Sequence, residues 1–198
     1  GRGLSRRHIL RGVIGGAARL VFGASARPVP ALQGPLPQAC PSLAGTVKPA
    51  DDLYVISFPG EANVVAQTSA SGVLLVDGGS AKASDALMKA VAALPGGGPV
   101  HTLFNTHWHP EQTGLNEQVG QAGKTIISHE NTRLWVTTDV TWSWNGKQFK
   151  RLPKVAQPNK TFYTTGKLEP EIRYGYIPDA AHTDGHMYVY FPTQNVLV

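Results

Sequence analysis

Near its centre the chain reads Asn105-Thr106-His107-Trp108-His109-Pro110-Glu111-Gln112-Thr113-Gly114-Leu115-Asn116. The apolar run Val100–Asn105 that leads into this stretch is predicted as a strand. His107 and His109 therefore stand two residues apart at a strand end, where residues i and i+2 point to one side. On a helix they would be turned roughly 200° from each other and could not share an ion. Pro110 cannot continue a central strand, so the chain turns there and swings Glu111 and Gln112 toward the same spot. On these local residues alone, a metal site and a structural histidine pair are equally supported.

A second histidine loop follows about 75 residues later: Ala181-His182-Thr183-Asp184-Gly185-His186. It lies between the predicted strand Glu171–Ile177 and the apolar run Met187–Phe191, so it too sits at a strand end. Strand-end loops of α/β folds gather residues from distant parts of a chain. Three neutral imidazoles with one open position suit a catalytic zinc ion.

Outward from these loops, strand and helix signals alternate. Leu53–Ser57, Asn63–Thr68 and Val73–Val76 read as strands, the last closed by Asp77-Gly78-Gly79. Ser84–Leu94 carries Leu87, Met88, Val91 and Leu94 at helical spacing, and Pro95-Gly96-Gly97-Gly98-Pro99 ends it. Lys124–Ser128 is another strand, Glu130–Val136 a helix, residues 137–160 a long loop, and Val196–Val198 the start of a strand. The order predicts an α/β layered fold.

Composition narrows the function. The 198 residues suffice for one domain, and 41% hydrophobic residues can build its core. The net charge of +5 is local: Arg2, Arg6, Arg7, Arg11 and Arg19 account for it, and the chain from Arg27 on is balanced. Nothing in the body forms a phosphate-binding footprint, so nucleic acid is not an expected partner. The single Cys40 makes no internal disulfide and excludes a multi-cysteine metal site.

Residues 1–26 open with Ser5-Arg6-Arg7-His8-Ile9-Leu10, continue weakly apolar, and end Ala24-Ser25-Ala26. The pattern resembles a twin-arginine export signal, which implies a periplasmic protein exported already folded. Arg11 and Arg19 interrupt the apolar run, so no stable membrane anchor is expected. Residues 27–50 read as a Pro-rich linker and 51–198 as the functional domain.

The body resembles the metallo-β-lactamase-fold hydrolases, whose signature is His-X-His-X-Asp-His after a strand, then a Gly, then a later His-Thr-X-Gly-His type loop. The resemblance rests on Asp77-Gly78-Gly79, on Thr106-His107-Trp108-His109 with Gly114, on Ile127–Arg133, and on His182–His186 with Pro192. It implies an αβ/βα sandwich with a metal site at one edge. It assigns His107, His109 and His182 to the first metal position. The signature's Asp falls on Glu111 and its second His on Gln112. Glu111 keeps the charge but reaches about 1.5 Å further, one carbon–carbon bond. Gln112 is neutral and a weak ligand. One zinc ion is therefore expected, with Glu111 handling the proton. The family's remaining metal-site Asp and His would fall beyond Val198, so the sequence reads as a fragment whose second half is incomplete.

The resemblance implies a zinc-dependent hydrolase using zinc-bound hydroxide on a small-molecule lactam, ester or thioester. Two alternatives stand beside it: a degenerate binding member without hydrolysis, and a mononuclear iron sulfur dioxygenase of the same fold. His129 is expected to pack or cap, and His186 to support the pocket. Asp77 would either hold the metal loop by hydrogen bonds or form a local Asx turn. Trp108 should point into the core. Trp142 and Trp144 should line a substrate mouth or pin the long loop.

Overall fold

A computed structural model of the chain describes residues 45–168, 171–179 and 182–198. The expected export signal, Cys40 and the linker as far as residue 44 lie outside the described residues.

In chain order the elements are β1 (Thr46–Ala50), β2 (Leu53–Ile56), β3 (Val64–Ser69), β4 (Gly72–Val76), α1 (Ser84–Ala93), β5 (Val100–Asn105), α2 (Asn116–Gln121), β6 (Thr125–His129) and α3 (Glu130–Val136). They continue with β7 (Val140–Thr141), β8 (Gln148–Phe149), β9 (Lys160–Phe162), β10 (Thr165–Leu168), β11 (Ile172–Tyr176), β12 (Met187–Phe191) and β13 (Val196–Leu197). A seven-stranded sheet runs in the order β1-β2-β3-β4-β5-β6-β9, and a four-stranded one in the order β10-β11-β12-β13. The first four strands are an antiparallel meander; from β4 to β5 to β6 to β9 the pairing is parallel.

The central strands are buried on both faces, and alternate residues enter different cores. Val73, Leu75, Leu103 and Ile126 pack with Leu87, Ala90 and Val91 of α1 and Val119 of α2. Leu74, Val76, Phe104 and Ile127 pack the opposite way, against Tyr174, Val189 and Phe191 of the second sheet. A period of two with both faces apolar explains why these strands read as unbroken hydrophobic runs. The layers are helix, large sheet, small sheet, in agreement with the expected α/β sandwich.

Several elements fall where the sequence predicts none. β1 occupies the end of the stretch expected to be linker. It is an edge strand, where Pro49 costs no ladder bond that a central strand would need. The expected loop at 137–160 holds the β7–β8 hairpin, a 3₁₀ turn at Lys154–Ala156, and the first residue of β9. α2, β9 and β10 are three to six residues long, too short for periodicity to show.

The parallel strands end at one edge, where two loops lock together. Gly78 N donates to the Gln112 carbonyl at 2.7 Å, and Gly114 N to the Gly79 carbonyl at 2.8 Å. A Cβ on Gly114 would run into the backbone of Ser80 and Ala81. Gly114→Ala is therefore expected to lower stability by about 3 kcal/mol, the upper range for overpacking. A urea-unfolding midpoint indistinguishable from wild type would show that the loops do not meet so closely.

Candidate metal centre

β5 ends at Asn105, and His107 and His109 stand on and just after the bend at 106–108 that follows it; both are buried. His182 arrives from the loop between β11 and β12. One ligand atom from each of these three histidines lies within 4.8 Å of the others. His182 Nε2 is 3.0 Å from His109 Nδ1. Two nitrogens bound to one tetrahedral ion at 2.0–2.1 Å would stand about 3.3 Å apart, so the pair is already near chelating distance.

A chain of hydrogen bonds orients the first of them. Thr106 donates both its backbone N–H and its hydroxyl to the Asp77 carboxylate, each at 2.8 Å. The Thr106 hydroxyl oxygen is 3.0 Å from His107 Nδ1. With that hydroxyl proton committed to Asp77, Oγ1 is left to accept from Nδ1–H, which leaves Nε2 as the free lone pair. Asp77 thus serves a partner 29 residues away, so of its two expected roles the Asx turn gives way to holding the metal loop. Burial raises its carboxyl to about 7, against the two hydrogen bonds from Thr106.

The cluster suits a cation because two of its imidazoles, His107 and His109, are kept neutral. Burial, and then the neighbouring imidazoles, push His107 down to about 3. Burial lowers His109 too, against the opposing pull of Glu111, and it lowers His186. Unprotonated imidazoles pointing at one another are a donor set that a zinc ion fits. Glu111 stands at the rim with its side chain about half exposed (52%) and Oε1 3.7 Å from His109 Nδ1. Gln112 takes a structural part through its backbone carbonyl, while its side-chain Oε1 is buried with no hydrogen-bond partner among the described residues.

Helix α3 holds the His182 loop from beneath. Asn131 Nδ2 donates to the Asp184 carbonyl (2.8 Å), Thr132 Oγ1 to the Gly185 carbonyl (2.9 Å), and Trp135 Nε1 to Asp184 Oδ1 (2.6 Å). Sequence reasoning assigned no role to Thr106, Asn131, Thr132 or Trp135. Their proximity to the histidines depends on pairings 49–53 residues apart, or 29 in the case of Thr106, and leaves no local signal.

The other histidines behave as expected. His129 caps α3, accepting from Asn131 N at Nδ1, and stacks on Tyr176. His186 Nδ1 accepts from Thr183 N, and its ring centroid lies 5.0 Å from that of His107. Trp108 departs from expectation. It is buried but belongs to neither apolar core; it stacks on Trp135 at 5.3 Å and meets Phe149 edge-on at 5.2 Å. The extended path ends at Asn105 and bends at 106–108, so the neighbour of two ligands faces a cleft wall instead of a sheet interior.

The chain belongs to the metallo-β-lactamase superfamily, whose family model matches residues 58–198. No curated protein matches it in sequence. Among solved structures it is similar to a metallo-β-lactamase from Pontibacter korlensis, with TM-score 0.55 and 21% identity over 77% of this chain and 68% of that one. It is also similar to a Cronobacter sakazakii metallo-β-lactamase described by a HARLDQ motif, with TM-score 0.59 and 12% identity over 73% and 56%. A third is a subclass B3 enzyme of Bradyrhizobium japonicum, with TM-score 0.59 and 14% identity over 73% and 55%. The chain thus spans little more than half the length of the latter two. At these identities the likeness is one of fold.

Asp77→Asn should weaken zinc binding by about 10- to 100-fold, the usual cost of losing such a partner. Its amide nitrogen can only donate to Thr106 Oγ1, which would turn the hydroxyl proton toward His107 Nδ1 and favour the wrong tautomer. Competition against a chromogenic chelator measures this; equal affinity would remove Asp77 from the site.

In the metal-free protein the imidazoles should cost stability on acidification. Unfolded imidazoles titrate near 6.5 and the folded His107, His109 and His186 lower, so in between the unfolded chain binds more protons. Asp77 acts oppositely from 3.8 to about 7, since its folded carboxyl keeps a proton the unfolded one has lost. Replacing it by Asn removes that opposing effect. In metal-free Asp77→Asn the urea midpoint in the presence of EDTA should be lower at pH 5.5 than at 7.5; an unchanged midpoint would contradict the lowered imidazoles.

Proposed function

We propose that this protein is a zinc-dependent hydrolase of small molecules, holding one ion through His107, His109 and His182. The observation that carries the reading is the arrival of His182, 73 residues away in sequence, at 3.0 Å from His109. When bound, zinc supplies a Lewis acid and makes hydroxide accessible at neutral pH.

The chain's own residues supply the rest. The Asp77–Thr106 pair fixes the His107 tautomer. Asn131, Thr132 and Trp135 fix the loop that carries His182. Glu111 Oε1 sits beside His109 and is open to solvent, so it can take a proton from an attacking water or return one to a leaving group. The cleft beside the histidines has a volume of about 530 Å³, the size of a small-molecule site. The arginine-bearing stretch at residues 1–26 supports export to the periplasm, and no helix among the described residues is long and apolar enough to cross a membrane.

Metal analysis of the full chain should give one zinc per molecule, lost in His107→Ala. A panel of lactams, esters and thioesters should include a substrate that is hydrolysed. On it Glu111→Gln should lower kcat by about 10²–10⁴ with zinc retained, the span for a proton-transfer group. Iron in place of zinc, or undiminished turnover in Glu111→Gln, would contradict the assignment.

A further inference from the structure

The chain's four tryptophans, Trp108, Trp135, Trp142 and Trp144, all line one cleft, and His109 and His182 form its inner end. They come from three separate places: the metal loop, helix α3 and the β7–β8 hairpin. Trp108 and Trp135 stack on each other at 5.3 Å, and Trp142 and Trp144 at 4.5 Å.

Packing accounts for only part of this. Among the described residues the β7–β8 hairpin pairs with no other strand, and an isolated two-stranded hairpin is marginal in water. Trp142 and Phe149 anchor it, each meeting Trp108 edge-on. Trp144 anchors nothing: it is 71% exposed and stacks on Trp142 from outside. A tight turn holds it there, with Trp142 N donating to the Lys147 carbonyl and Gly146 N to that of Trp142. A large indole held in water beside a candidate reaction centre is an unfilled contact surface. The Trp135 N–H is already spent on Asp184, so that ring offers the cleft its apolar face.

The Lys147 ammonium lies 5.4 Å from the Trp142 centroid and 4.7 Å from that of Phe149, a cation–π contact that helps to hold the hairpin together.

We propose that the substrate carries a planar aromatic group that seats on Trp142 and Trp144 and places the bond to be cleaved at the histidines. The inference names the substrate class of the proposed hydrolase and rests on that reading for the chemistry; the binding itself does not need it.

Calorimetric titration of the full chain, both zinc-loaded and EDTA-treated, tests it with two probes: 2-naphthoate and its saturated counterpart decahydro-2-naphthoate. In the EDTA-treated protein 2-naphthoate should bind about ten-fold more tightly than the saturated acid, the scale of one good aromatic contact. Trp144→Ala should lose about that ten-fold, and Trp144→Phe should recover most of it. Equal binding of the flat and saturated acids would overturn the proposal, as would an undiminished affinity in Trp144→Ala. Selective naphthoate binding by a chain that hydrolyses nothing leaves the aromatic seat standing and removes the hydrolase. Hydrolysis without aryl preference does the reverse.

Discussion

A buried carboxylate gripping one threonine organises this molecule's chemistry. Asp77 ends β4 in a left-handed conformation (φ 66°), which few residues other than Gly, Asn and Asp adopt readily. That conformation turns its carboxylate across the sheet edge to Thr106, at the end of the neighbouring strand β5. The parallel pairing of β4 and β5 sets the two strand ends side by side, and the carboxylate converts that alignment into an oriented imidazole at His107. Without it the histidine pair would have the right spacing but no defined ring orientation.

The rest of the edge follows the same logic of long-range hydrogen bonds made by short polar side chains. Asn105 and Asn116 exchange two amide bonds at 2.9 Å and close the metal loop at its base. Asn131 and Thr132 accomplish for the His182 loop what Asp77 does for the His107 loop. The imidazoles thus converge because each of their loops is tied to a rigid element, and burial then holds His107 and His109 neutral and ready for a cation.

Much of this was legible in the sequence for identifiable reasons. Val100–Asn105 and Met187–Phe191 are strands with unbroken or alternating apolar residues, and their bounds match the expectation. The i, i+2 spacing of His107 and His109 pointed to one shared site, and their rings do lie 4.9 Å apart, although β5 ends at Asn105 and a bend, not the strand, presents them. What stayed hidden was either too short or too distant to leave a local pattern. β1 was masked by Lys48 and Pro49, β9 by its three-residue length, and Trp108 by the bend at 106–108 that directs its side chain into the aromatic wall. The hydrogen bonds from Thr106 and Trp135 join residues whose nearness exists only after folding.

The account stands on three imidazoles sharing one ion. Crystals of the full chain grown with zinc and measured across the zinc absorption edge test this most directly. One anomalous peak within about 2.0–2.1 Å of a nitrogen of each of His107, His109 and His182 is the predicted result. A peak bound elsewhere, or one from which the His182 ring is turned away, would contradict it.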